Sequence, residues 1–299
     1  VIFAFQFTIC PYAAYADVSY DAASGPKGDA PVNKVGSLLL AGGLAVMAGT
    51  YANANLAAEH GTLQNLYEAN AGVKLSKNHE IWIDGGIFSS HIGFESAVGK
   101  DCWTLTRSIL ADNSPYYEAG AKLSYTTPNG RWFFSALALN GWQHIQRVPG
   151  SSTVSGGWQI QYKLSDKVTL NSSSFFGSDK PDSLSIGRIF HNFYGIFQLS
   201  DKFGLALGFD TGWEESPRED ESAQFWYSPV VIGRYSINHR LALAGRVEYY
   251  SDENGVIIAT GTKNGFKTFG VSANLDVQIH RNALWRIEGK LYNSKDEIF

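Results

Sequence analysis

Apolar and polar residues alternate with a period of two along most of this chain. Tyr67, Ala69, Ala71, Val73 and Leu75 are interleaved with Glu68, Asn70, Gly72 and Lys74. Tyr117, Ala119, Ala121, Leu123 and Tyr125 alternate with Glu118, Gly120, Lys122 and Ser124. The same pattern sets Trp158, Ile160, Tyr162 and Leu164 against Gln159, Gln161 and Lys163. It returns with Leu241, Leu243, Val247 and Tyr249 around Arg246 and Glu248, and with Trp285, Ile287 and Leu291 around Arg286, Glu288 and Lys290. Successive side chains of a strand point to opposite faces, so each run predicts a strand between an apolar medium and water.

The connections are sorted by length. Tight turns follow a Leu-Ser pair at Leu75-Ser76, Leu164-Ser165 and Leu199-Ser200, and further turns fall at 126–130, 237–240 and 279–282. Between them lie long irregular segments at 52–66, 89–114, 143–155, 178–187, 213–223 and 251–265. Strict alternation of short and long connections is the mark of a transmembrane β-barrel, with tight turns at one rim and longer loops at the other. A soluble sandwich also alternates in and out but does not need to sort its loops by end. Aromatics cluster near the strand ends, as interfacial girdles require. The charged face would be costly in a dry core, which favours a water-filled lumen. The prediction is an all-β transmembrane antiparallel barrel occupying residues 1–299 as one domain. About 14 strands are visible, and roughly 16 are expected in a complete chain with an even strand count.

Composition narrows the alternatives. Charged residues make up 17% of the 299, against roughly 25% in soluble domains, while aromatics reach 14%. Disorder and a helical membrane bundle are both excluded, the latter because no apolar run approaches about 20 residues. A net charge of -4 with no basic stripe gives no basis for a nucleic-acid partner. Cys10 and Cys102 fit no zinc or redox spacing. Alternation through Tyr12, Ala14, Ala16 and Val18 reads as a strand, although Ala14-Tyr15-Ala16 also has the form of a signal-peptidase site.

Three stretches resemble a known family: Tyr67 to Ser76, Trp82 to Arg107 (WIDGGIFSSHIGFESAVGKDCWTLTR) and Tyr249 to Phe269 (YYSDENGVIIATGTKNGFKTF). They are similar to the putative β-barrel porin family (OmpL-like group) of Bacteroidetes-type Gram-negative outer membranes. The resemblance implies an integral outer-membrane barrel with channel activity, and supplies no catalytic residue or solute. Relative to that family, the Gly/Pro-rich segment Ala22 to Ser37 stands where another strand is usual. The family also continues past the position of Phe299, which is expected to lie at the rim opposite the tight turns.

Candidate pore-lining residues are Glu68, Lys74, Asp84, Glu118, Lys122, Lys163, Arg246, Glu248, Arg286, Glu288 and Lys290. Charges in a lumen set ion preference, or they pair across neighbouring strands and keep the wall satisfied. Segment 89–114 exceeds what a hairpin needs and holds Glu95, Lys100, Asp101 and Arg107 among Phe94, Trp103 and Leu105. It either folds inward as a constriction or caps the rim. If inward, Arg107 is expected to influence ion preference. Seven histidines are scattered singly, and no metal, nucleophile-elbow or phosphate-loop motif occurs. The acidic stretch around Glu214 to Glu221 and the run Ser251 to Gly255 read as loop tip and turn rather than cation sites. No cofactor, metal or catalytic residue is expected. The leading function is passive diffusion of small hydrophilic solutes, with outer-membrane lipid and lipopolysaccharide as surroundings. The alternative is a plugged barrel serving as a structural or assembly partner of other envelope proteins.

Overall fold

The computed structural model describes residues 63, 66–184, 186–216, 222–281 and 283–299, together with the backbone of two earlier strands at 2–9 and 39–46. The strands are β1 (Ile2–Ile9), β2 (Leu39–Val46), β3 (Leu66–Lys74), β4 (Glu80–Ser89), β5 (Tyr117–Thr126), β6 (Trp132–Leu139) and β7 (Ser155–Ser165). They continue with β8 (Val168–Gly177), β9 (Arg188–Gln198), β10 (Phe203–Glu214), β11 (Gln224–Ser236), β12 (Leu241–Asp252), β13 (Phe266–His280) and β14 (Ala283–Ser294). These 14 form a single antiparallel sheet in chain order from β2 to β14, and β1 pairs with β14 instead of β2. The first strand thus returns beside the last. β1 runs toward the tight-turn rim and β2 away from it, the antiparallel relation that ring closure requires. The first described strand, Ile2–Ile9, precedes the one expected through Tyr12 to Val18. Residues 10–38, including Cys10, Tyr12 to Val18 and the Ala22 to Ser37 segment, fall outside the described residues.

The tight turns are built by the chemistry that their sequences predict. The Ser76 hydroxyl accepts from the Asn78 and His79 amides, and Ser200 accepts from Lys202 and Phe203. Asn238 likewise accepts from Arg240 and Leu241. These side-chain to backbone bonds fix the reversal locally.

Register assigns the faces. Val73 opposes Ile83, and Ile83 opposes Leu123. Ile83, Leu123 and Leu243 are 42–47% exposed, and Leu75 and Ile160 share the outward surface with half-buried Val73 and Ile287. Aromatics flank this band. Trp132 stacks on Tyr162 (4.2 Å between ring centroids) near the tight-turn rim, while Trp213, Phe225, Tyr227 and Tyr249 pack together toward the other.

The inward face departs from the expectation of a wholly polar lumen. Phe88, Leu137, Leu139, Phe175, Phe190, Trp226 and Tyr250 form one buried cluster, joined by Trp142 and by Val256 to Ile258 from two long loops. Asp252 accepts from the amides of Val256, Ile257 and Ile258 and so folds the second of these loops back. The long-loop half of the interior is therefore packed, and Phe299 lies at that rim against Tyr292 and Phe266.

Candidate functional site

The connection between β4 and β5 (90–116) crosses to the opposite inner wall. Its first anchor is His91, fully buried, with Nε2 2.8 Å from the Ser174 carbonyl oxygen. Burial lowers the His91 pKa to about 4, so the ring is neutral and donates this bond. The Gly93 amide then donates to Asn192 (3.2 Å). Phe94 lies on Tyr194 (5.6 Å) and over Gly208, and Trp103 lies over Gly204. A Cβ at Gly208 would sit 2.6 Å from the Phe94 ring, and one at Gly204 would sit 2.8 Å from Trp103. The bare backbone of β10 is what admits both rings. Leu110 and Ala111, in the short helix α1 (Ile109–Asp112), complete this contact against Ala206, Val230 and Ile232.

Charge holds the rest of the segment. Arg246 is fully buried on β12 and donates to Thr106 O (2.7 Å), Thr104 Oγ1 (2.9 Å), Glu248 (3.1 Å) and Glu288 (3.1 Å). Arg286 on β14 donates to the carbonyls of Gly99 (2.6 Å) and Cys102 (2.7 Å) while paired with Asp276 (2.9 Å). The carboxylates bind in the reverse sense. Glu288 accepts from the Thr106 amide and hydroxyl, and Glu248 from the Ile109 amide (2.6 Å). Asn274 accepts from the Leu105 amide (3.0 Å). Guanidinium donors meet backbone carbonyls, and carboxylate acceptors meet backbone amides. This is how an irregular segment keeps its polar groups satisfied away from water.

Register puts all eleven candidate lining residues on the inward face, in two groups. Arg246, Glu248, Arg286 and Glu288 are at most 4% exposed and clamp the segment, so they do not border open water. Glu118 is also fully buried. Lys74, Lys122 and Lys163 stay partly open, with Lys122 3.5 Å from Asp84 and Lys74 bonded to Glu80. Glu68 accepts from Ser89, and Lys290 lies over the Tyr292 ring (5.1 Å).

The four segment charges also separate. Glu95 is turned inward, binding the Ser108 amide (3.1 Å) and hydroxyl, and burial raises its pKa. Lys100 and Asp101 pair with each other at 3.0 Å and remain half-exposed. Arg107 donates to Ala111 O (2.6 Å) and stacks on Tyr116 (3.8 Å), so its guanidinium braces the segment instead of facing a water path. The Cys102 thiol is free and buried. Burial, with Glu95 adding to it, pushes its pKa up to about 12. Sequence reasoning missed Asn274, Asp276, Thr104 and Thr106. The run Thr104, Thr106, Ser108 at every second position was the available signal. Among the described residues, no group of three or more His, Cys, Asp or Glu side chains is placed to hold a metal ion. Glu214 is paired with Arg188 and Glu215 accepts from the Gly187 amide, whereas 217–221 lie outside the described residues.

The fold is similar to that of in-vitro folded OmpT in its trimer form, an outer membrane protein of Vibrio cholerae. The two share 10% identity, with a TM-score of 0.51 over 77% of this chain and 70% of that one. At that identity the likeness shows the fold alone. The NanC porin is a looser neighbour, with 14% identity and a TM-score of 0.30 over 60% of this chain and 93% of the other, and it carries no argument. None of the curated proteins matches the sequence. The profile of the putative beta-barrel porin-2, OmpL-like, family matches residues 14–299, and the chain belongs to that family of outer-membrane β-barrels.

Proposed function

We propose that this porin is a passive channel for small hydrophilic solutes in a Gram-negative outer membrane, its bore narrowed by segment 90–116. The observation that carries the reading is the asymmetry of the interior. The wall from β10 to β14 is covered by the clamped segment. On the wall from β3 to β7, Lys74, Lys122, Gln159, Gln161 and Lys163 remain partly open to water. A water path along that wall would be lined by lysines and amides, which suits polar solutes and gives no purchase for chemistry on them. The apolar outward band and its aromatic flanks suit outer-membrane lipid and lipopolysaccharide as the surrounding medium. Family and fold favour a channel over an enzyme.

Liposome swelling tests this reading. Folded protein in vesicles should admit a neutral pentose quickly and a neutral tetrasaccharide slowly or not at all. A correctly folded barrel that admits neither would overturn it in favour of a structural partner in an envelope complex.

A further inference from the structure

The tight-turn end of the lumen holds a cavity of about 530 Å³. Inward positions of β11 to β14 and the turns at 199–202 and 237–240 form its wall. Three cations line it, Lys202, Arg234 and Arg240, against two carboxylates, Asp201 and Asp276. Of the two carboxylates, only Asp276 is held in buried ion pairs, whereas Asp201 is exposed on its turn. Asp276 is 4% exposed between Arg286 (2.9 Å) and Arg234 (3.3 Å), and Asp201 reaches Lys167 at 3.9 Å. Lys202 and Arg240 have no carboxylate within 4.0 Å among the described residues. Their backbone positions are set by Ser200 and Asn238, which cap the two turns that carry them. Asp276, which lines the cavity, pairs with Arg286, whose guanidinium holds the Gly99 and Cys102 carbonyls of the inserted segment.

We infer that this vestibule binds small anions bearing a carboxylate or phosphate group. Lys202 and Arg240 are exposed on their separate turns and border the recess together with half-buried Arg234, so an excess of cations faces whatever enters from that rim. The guanidinium groups of Arg234 and Arg240 present N–H donors suited to planar or tetrahedral oxyanions. The volume is ordinary for a small-molecule site and exceeds what a lone ion needs. This deepens the channel reading and rests on it for the route by which an anion arrives, whereas the binding itself requires no conductance.

The test is calorimetric titration of the folded full chain in neutral detergent with potassium gluconate, inorganic phosphate and sorbitol. Gluconate or phosphate should bind and sorbitol should not, with the stronger of the two anions identifying the oxyanion class. Added potassium chloride should weaken binding. The double variant Lys202→Gln/Arg240→Gln, with its fold verified by heat-dependent gel mobility, should lose about fivefold in affinity. If it does not fold, Lys202→Gln alone should show a smaller loss. Equal binding of sorbitol, no binding of either anion, or unchanged anion affinity in a folded variant would overturn the inference. A barrel that binds gluconate but conducts nothing would leave it standing and remove the channel reading instead.

Discussion

Replacing Arg246 with alanine should release the inserted segment without opening the barrel. The side chain is 0% exposed and ties Glu248, Glu288, Thr104 and Thr106 into one cluster. Truncation leaves two carboxylates buried without their cation, and breaking a buried ion pair in this way costs about 3–5 kcal/mol. The strand pairings do not involve that side chain, so the cost falls on docking of the segment. At about 1.4 kcal/mol per tenfold, the open population should rise by about two to three and a half orders of magnitude. Trypsin reads this directly, because Lys100 and Arg107 lie within the segment and cleavage tracks the open population when reclosing is fast. The folded variant should be cut at these sites at least about a hundredfold faster than the parent. Combining Arg246→Met with Glu248→Gln and Glu288→Gln removes the orphaned charges and should recover much of the protection. A folded Arg246→Ala barrel as resistant as the parent would refute the clamp.

Three further outcomes follow from the same geometry. In a Cys10→Ser background, Cys102 should react with a maleimide at pH 8 about a thousandfold more slowly than an exposed thiol, because its pKa of about 12 replaces 9.0. Since the docked thiol ionises above the released one, docking should hold below pH 9 and weaken as pH climbs from there toward 12, which protease sensitivity across that range would follow. Gly208→Val would place side-chain atoms into Phe94 and should loosen the segment by about 1–3 kcal/mol, seen as faster tryptic cleavage with an unchanged gel mobility. Leu243→Arg on the lipid face should cost about 2–4 kcal/mol of folding free energy in bilayer refolding, while Gln161→Arg on the inner face should cost little.

The barrel was legible because lipid on one side and water on the other impose a period of two on every spanning strand. Turn chemistry at Ser76, Ser200 and Asn238 then marked one rim. Fourteen strands are described, with β1 beside β14, and the segment expected to hold a further strand at 22–37 lies outside the described residues. The clamp was half legible. Arg246 with Glu248 and Arg286 with Glu288 stood out as same-face pairs, but their partners at Gly99, Cys102 and Thr106 are backbone groups far away in sequence. No pattern of residue types reveals a carbonyl. Arg107 was equally hard to place, since a charge in a long loop looks alike whether it meets water or a neighbouring carbonyl. The packed upper interior was hidden as well. Near the strand ends Phe175, Phe190, Trp226 and Tyr250 point inward while Ile189, Trp213 and Phe225 point outward, so alternation in polarity fails where both faces are apolar.

Single-channel conductance of the purified barrel in a planar bilayer, compared with that of a variant in which 93–113 is replaced by a short Gly-Ser linker, tests the central claim most directly. The parent should show small, discrete openings and the variant a several-fold larger conductance, because removing the segment uncovers the β10 to β14 wall. Equal conductance in two barrels with the same heat-dependent mobility would contradict it.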